Sequence, residues 1–313
     1  MIQNHYTLAT GGYVVAIQKA DASLAGRVKR RRPALLAGLL GSGGIALLAY
    51  RRRSLSRDGA AGALLAGTTI TGFGGPAWGL ALIFFFVSSS LFSHFRAREK
   101  AQTAEDKFSK GSQRDLLQVL ANGGAATGLA LASGLLPDFQ QTARDTLQAG
   151  FTGALATATA DTWATELGVL SSQPPRLLTT WKTVSPGTSG GITPLGTGAT
   201  ALGALSFGLV FWLLHWRPGE TSQLRRQRRL PLIALLSGLA GSLFDSLLGA
   251  TIQAMFYCPH CQKETERRVH NCGTPTRPLR GLPWMTNDTV NFCATLLGAL
   301  VAIGLALLGK QQA

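Results

Sequence analysis

LPLIALLSGLAGSLFDSLLGATIQAMF, residues 230–256, is long enough and apolar enough to cross a bilayer, which takes about twenty residues. It carries a single charge, Asp245. Seven further apolar runs flank it: 33–50, 59–73, 77–92, 116–136, 147–170, 198–216 and 290–309. They are continuous stretches, not ten-residue alternations of in and out, so helices are expected and a barrel is not. The fold class is therefore all-α, a polytopic transmembrane helical bundle of about six to eight spans. Runs two (59–73) and five (147–170) are the weaker ones. They are expected to be tilted, broken or re-entrant, and Gly74-Gly75-Pro76 forces a turn after run two.

The composition agrees. Charged residues are 14% of the 313, against the usual quarter, and there are 38 glycines. Small residues let transmembrane backbones approach, and pairs such as Ala37–Gly41 and Ser237–Gly241 suit close contacts. The formal net charge of +15 would suit a nucleic-acid binder. Nucleic acid is rejected because the basic residues sit in clusters between apolar runs: Arg27 to Arg32, Arg51 to Arg57, Arg96 to Arg114 and Arg225 to Arg229. Eight spans would put connections 51–58, 93–115, 171–197 and 257–289 on one side, with 17 of the 30 Lys and Arg residues. That excess is small, but it favours the cytoplasm for this side, in a bacterial inner membrane.

Residues 1–32 read as a tail with a basic cluster and 33–309 as an integral membrane catalytic domain, with a Cys/His loop, 257–286, inserted between the last two spans. The first 26 residues lack a basic head, apolar core and small-residue cleavage site, so no cleavable signal peptide is expected. Four cysteines in one region are too few and too clustered for a disulfide scaffold.

Ionisable groups at membrane depth are costly and mark function. They are Asp161, Glu166 and Asp245, with Asp288 at the mouth of run eight; Asn122, Thr162, Ser242, Gln253, Asn287 and Asn291 add neutral polar groups. On one helix Asp161 and Glu166 stand about 140° apart, so one can face a site and the other a supporting partner. Structural pairing with loop arginines is the simpler role for each acid. Acids spread over several helices suit Mg²⁺, which takes one or two carboxylates plus substrate phosphates. Asp161, Asp245 and Asp288 are the expected ligands. In SPGTSGGITPLG (185–196), residues Gly187, Thr188, Ser189, Gly190 and Gly191 could form an anion nest or a plain linker. It is not a Walker loop, since no GK[ST] follows. Lys182 beside it, and Lys110 and Arg114 in SKGSQRDLLQVLANGG (109–124), supply cations. Separately, CPHCQKETERRVHNC (258–272) carries Cys258, Cys261, His270 and Cys272, a candidate closed and structural Zn²⁺ hairpin.

The stretches FGGPAWGLALIFFFVSSS (73–90), VLANGG (119–124), ADTWATELG (160–168), VSPGTSGGIT (184–193), GSLFDSLLGATIQ (241–253) and NDTVNF (287–292) resemble a polytopic membrane family long known only as a domain of unknown function. That family includes the phytyl-phosphate kinase of vitamin E (tocopherol) synthesis in plants and cyanobacteria. The resemblance spans about residues 35–308. It implies a phosphotransferase acting from a nucleoside triphosphate, with CTP the expected donor, on phytyl phosphate or a related prenyl monophosphate. Asp161, Glu166, Asp245 and Asp288 would then be catalytic. Lys110, Arg114, Asn122, Lys182, Gly187 to Gly191, Asn287 and Asn291 would bind substrate or nucleotide. The alternatives are a transporter or scramblase of a lipid phosphate, disfavoured by the phosphate-loop candidate and the lack of an obvious inverted repeat, and a CTP-dependent kinase of a free prenol.

Overall fold

Small residues face inward in this protein and leucines face outward. The computed structural model describes residues 24–104, 113–137, 140–216 and 228–311. In it Ala126, Ala130, Ala154, Ala156 and Ala204 are sealed inside, while Leu40, Leu65, Leu91 and Leu202 are exposed. That inversion is what a lipid solvent requires, because helices there associate through close backbone packing and not through a hydrophobic drive.

The order is α1 (Leu24–Arg30), α2 (Arg32–Arg51), α3 (Arg57–Thr69), α4 (Pro76–His94), α5 (Ala97–Ala104), α6 (Leu116–Leu135) and α7 (Gln141–Gly168). There follow β1 (Arg176–Leu177), β2 (Gly191–Ile192), α8 (Pro194–His215), α9 (Leu230–Thr251), β3 (Met255–Cys258), β4 (Lys263–Thr265), β5 (Arg277–Arg280) and α10 (Asn287–Gln311). Six described helices, α2, α4, α6, α8, α9 and α10, are long and apolar enough to cross a membrane. The protein is a multi-pass helical bundle with two small sheets at one end.

The two weaker runs behave differently from each other. Run two breaks: α3 passes into a π-helical turn, Ile70–Gly74, and Gly75 at φ 98° turns the chain before Pro76 opens α4. Run five does not break. It is the 28-residue helix α7, whose residues 149–160 are all buried. Its moderate hydropathy reflects its place as the central post, where Ala, Thr and Gly admit neighbours that Leu would hold off. A Cβ on Gly153 would stand 2.2 Å from the Gly298 carbonyl oxygen of α10, and one on Gly241 of α9 would stand 2.3 Å from Thr157. Thr157 Oγ1 donates to the Ser237 carbonyl at 3.1 Å, tying α7 to α9. Aromatic packing closes the other side: Trp78 of α4 lies 4.2 Å from Phe151 of α7, ring centre to ring centre, and Phe211 of α8 packs on both.

Described residues of the four connections come together at one end of the bundle. Ser56 N–H donates to the Arg114 carbonyl and Arg114 N–H to that of Ser54. Lys100 reaches Glu166, and Arg280 Nη1 donates to the Gly249 carbonyl at 2.8 Å. The 257–286 insertion folds as an antiparallel three-stranded sheet in the order β4-β3-β5. It is pinned to the end of α9 by Leu282 N–H to Ile252 O and Ala254 N–H to Met285 O.

Candidate functional site at the loop end of the bundle

A polar cavity of about 140 Å³ opens between α7, α8, α9 and the 185–193 loop. Asp161 comes from α7, Asp245 from α9 and Glu266 from the strand side of the Cys/His hairpin. Ser242 and Ser246 of α9, Asn287 of α10, Thr193 just before α8, and Thr197 and Thr200 of α8 also line the wall. Among the described residues no lysine or arginine lines it. Asp161 Oδ1 accepts from Ser242 Oγ at 3.3 Å. Asp245 Oδ2 is buried and has no hydrogen-bond partner. Asp161 and Asp245, brought together at the end of a membrane bundle, repel each other as carboxylates unless a proton or a cation joins them. Their hard oxygens fit Mg²⁺, and the orphaned Asp245 oxygen is where a ligand is owed.

The 185–193 loop lines the cavity beside the acids. Pro186-Gly187 and Ser189-Gly190 sit at the centres of two successive turns, closed by Thr188 N–H to Ser185 O at 3.1 Å and Gly191 N–H to Thr188 O at 3.0 Å. Gly187 at φ 75° and Gly190 at φ 81° hold the third positions, where positive φ favours glycine. Gly190 lies flat against α9: a Cβ there would be 2.4 Å from Ala250 N. The loop is thus ordered by two turns and packed on α9, with two of its N–H groups closing those turns. It leads into α8, whose first turn is capped by Thr193 Oγ1, accepting from Gly196 N–H at 3.0 Å. The positive end of the α8 dipole therefore borders the cavity.

The remaining expected residues separate. Glu166 leaves the acid cluster. α7 is one continuous helix, so the 140° offset from Asp161 holds. Glu166 instead forms an ion pair with Lys100 and accepts from Ser93 Oγ at 2.6 Å. This is the supporting role, and Lys100 also caps α4 through the Phe92 and Ser93 carbonyls. Lys182 is exposed and outside the cavity wall. Asn287 lines the wall, but Asp288 and Asn291, on the same helix, do not. Lys110 lies outside the described residues.

Arg114 and Asn122 line a second cavity instead, of about 290 Å³ and almost wholly apolar, between α2, α3, α4 and α6. Its walls include Ile45, Leu55, Ile83 and Phe86, with Gly41 and Gly123 leaving open space. Arg114 stands at its polar end, 5.7 Å over the Phe85 ring and 5.8 Å over that of Phe86, contacts that suit a buried guanidinium. Burial lowers the Arg114 pKa and the charge of Glu166 partly restores it.

Glu266 is the residue sequence reasoning missed. It lies in a charged loop, with Glu264, Arg267 and Arg268 beside it, where one more acid carries no signal. Its position comes from Gln253, 1% exposed, whose Nε2 donates to Glu266 Oε1 at 2.8 Å and whose Oε1 accepts from Ser189 Oγ at 2.6 Å.

The model of the integral membrane protein family DUF92 matches residues 40–299. The chain belongs to that family. It is 34% identical to Protein PGR of Arabidopsis thaliana over 264 residues, covering 81% of this chain and 89% of that one. An uncharacterized membrane protein of Methanocaldococcus jannaschii is 29% identical, over 83% of this chain and 89% of its own. Protein VTE6, chloroplastic, of Arabidopsis thaliana is 26% identical, over 80% of this chain and 64% of its own. No solved structure matches.

Proposed function

We propose that this DUF92 protein is an isoprenyl-phosphate kinase. It moves the terminal phosphoryl group of a nucleoside triphosphate, CTP as the expected donor, to a prenyl monophosphate such as phytyl phosphate. The observation that carries the reading is the meeting of Asp161, Asp245 and Glu266 with the Gly187–Gly191 cradle and the head of α8 in one cavity. Membership of DUF92, the family whose resemblance implied a phytyl-phosphate kinase, supports it.

Phosphoryl transfer asks the protein for positioning and charge control more than for covalent chemistry. Asp161 and Asp245, with Glu266 beside them, would hold Mg²⁺, which supplies charge neutralisation to the donor phosphates. The cradle and the first turn of α8 would give N–H groups to phosphate oxygens. Arg114 would face the acceptor phosphate, and the apolar cavity behind it would take the prenyl chain. An acceptor phosphate oxygen attacks the terminal phosphorus, the bond to the leaving nucleoside diphosphate breaks, and a prenyl diphosphate forms. A phosphate monoester is largely deprotonated at neutral pH, so no general base is required. The reaction would sit at the cytoplasmic face of a bacterial inner membrane.

The test offers phytyl phosphate, geranylgeranyl phosphate and phytol separately to the detergent-purified protein, each with Mg²⁺ and CTP, ATP, GTP or UTP. A diphosphate from a monophosphate acceptor is expected by mass spectrometry. A product from phytol alone would convert the reading to a prenol kinase. No product from any pair, with nucleotide-independent flux of a lipid phosphate across vesicles, would replace it with a transporter.

A further inference from the structure

The Cys/His hairpin takes no chemical step in that scheme, yet its donor atoms converge. Cys258 ends β3 and Cys261 sits in the turn after it, while His270 and Cys272 lie in a second turn closed by Gly273 N–H to His270 O at 2.8 Å. Cys258 Sγ stands 3.7 Å from Cys272 Sγ, and His270 Nδ1 stands 3.2 Å from Cys272 Sγ. One ligand atom from each of Cys258, Cys261, His270 and Cys272 lies within 4.8 Å of the others. With Zn–S bonds of ~2.3 Å, the sulfurs of a tetrahedron stand about 3.8 Å apart. The observed separation is that edge, and it is far from the ~2.05 Å of a disulfide; all four cysteines of the chain are free. Cys261 N–H points to Cys258 Sγ at 3.5 Å, the kind of outer hydrogen bond that orients a thiolate ligand. Cys258 and His270 are buried, at 0% and 5% exposure, so half the donor set is already out of water.

We infer that Cys258, Cys261, His270 and Cys272 bind one Zn²⁺ in a closed, structural site, and that this ion clamps the hairpin that delivers Glu266 to the acidic cavity. Three thiolates and an imidazole select zinc, whereas the carboxylates of the cavity select a hard cation, so the two sites do not compete for one metal. Four protein ligands leave no open position for substrate. Glu266 lies between the two metal-binding turns, so an ion that joins those turns fixes the stretch carrying it, and Gln253 Nε2 of the α9 end meets its Oε1 at 2.8 Å. The metal site stands whether or not the phosphotransfer reading does, because metal content and backbone exchange report on it without any assay of activity.

The full-length protein, purified in detergent under reducing conditions and passed over a chelating resin, is analysed for metal by mass spectrometry. One zinc per chain is expected. Cys258→Ser and Cys272→Ser should each lower the zinc content roughly tenfold or more. In the same variants, hydrogen exchange over residues 256–280 should quicken roughly tenfold or more, with α7 unchanged. Should they fail to fold, stripping zinc from the wild type and titrating with Co²⁺ replaces them, with thiolate-to-cobalt charge-transfer bands expected. Reduced protein that holds no zinc and takes up neither Zn²⁺ nor Co²⁺ would overturn the site. Loss of zinc with unchanged exchange at 256–280 would overturn the clamp.

Discussion

Gln253 Nε2 donates to Glu266 Oε1 at 2.8 Å, joining the end of α9 to the Cys/His hairpin. The same side chain accepts from Ser189 in the glycine loop, so one buried amide holds two walls of the acidic cavity. Gln253→Leu keeps the volume and removes both bonds. It should cost about 1–3 kcal/mol of stability, the usual penalty for stranding buried polar partners, and lower phosphotransfer at least tenfold. Detergent thermal unfolding and initial rates check the two effects separately.

Glu166 and Lys100 form an ion pair with side chains 25% and 11% exposed. Its work is to fix the α4–α5 corner against α7. Lys100→Ala should therefore lower stability by about 2 kcal/mol, since it strands a partly buried carboxylate. Below the unfolding range, kcat should stay within about threefold of wild type. A kcat loss as large as that of an Asp161 variant would return Glu166 to the chemistry.

Gly190 combines positive φ with backbone contact against Ala250. Gly190→Ala should lift the 185–193 loop from α9. The expected readout is a rise of roughly tenfold in KM for the nucleotide, with KM for the prenyl acceptor little changed, on a strain of order 1–3 kcal/mol.

Gly41 lines the apolar cavity and has open space where a side chain would stand. Gly41→Leu should occupy room meant for the prenyl chain. Displacing a few methylene contacts, each worth about 0.8 kcal/mol, should raise KM for geranylgeranyl phosphate roughly tenfold or more. Dimethylallyl phosphate, too short to reach that depth, should be unaffected. Equal effects on both acceptors would mean that the chain lies elsewhere.

The bundle was legible because a bilayer-length apolar run has few other uses, and run seven maps almost directly onto α9. Asp161, Asp245, Asn287 and the glycine loop were legible for the same reason: polar groups stand out against an apolar background, and the fold brings all of them to one cavity. Run five looked weak because its core role selects Ala, Thr and Gly, which lowers hydropathy while raising burial. Glu166 could be separated from Asp161 only by the helical offset, and its partner Lys100 comes from a distant connection. Glu266 was hidden, since an acid in a charged loop is ordinary until the hairpin's path over α9 is known. Arg114 and Asn122 were expected beside phosphate, and the structure places them along an apolar cavity that no periodicity in α2, α3 or α4 announces.

The most direct measurement is single-turnover transfer of the terminal phosphoryl group from labelled nucleotide to phytyl phosphate, by wild type and Asp245→Asn side by side, with both shown to be folded in detergent. Wild type should form phytyl diphosphate with one preferred nucleotide, and Asp245→Asn, which removes the carboxylate whose Oδ2 has no hydrogen-bond partner among the described residues, should be slower by about a hundredfold or more. Equal rates in the two proteins, or no transfer by wild type from any nucleotide, would contradict a phosphotransfer site at Asp161 and Asp245.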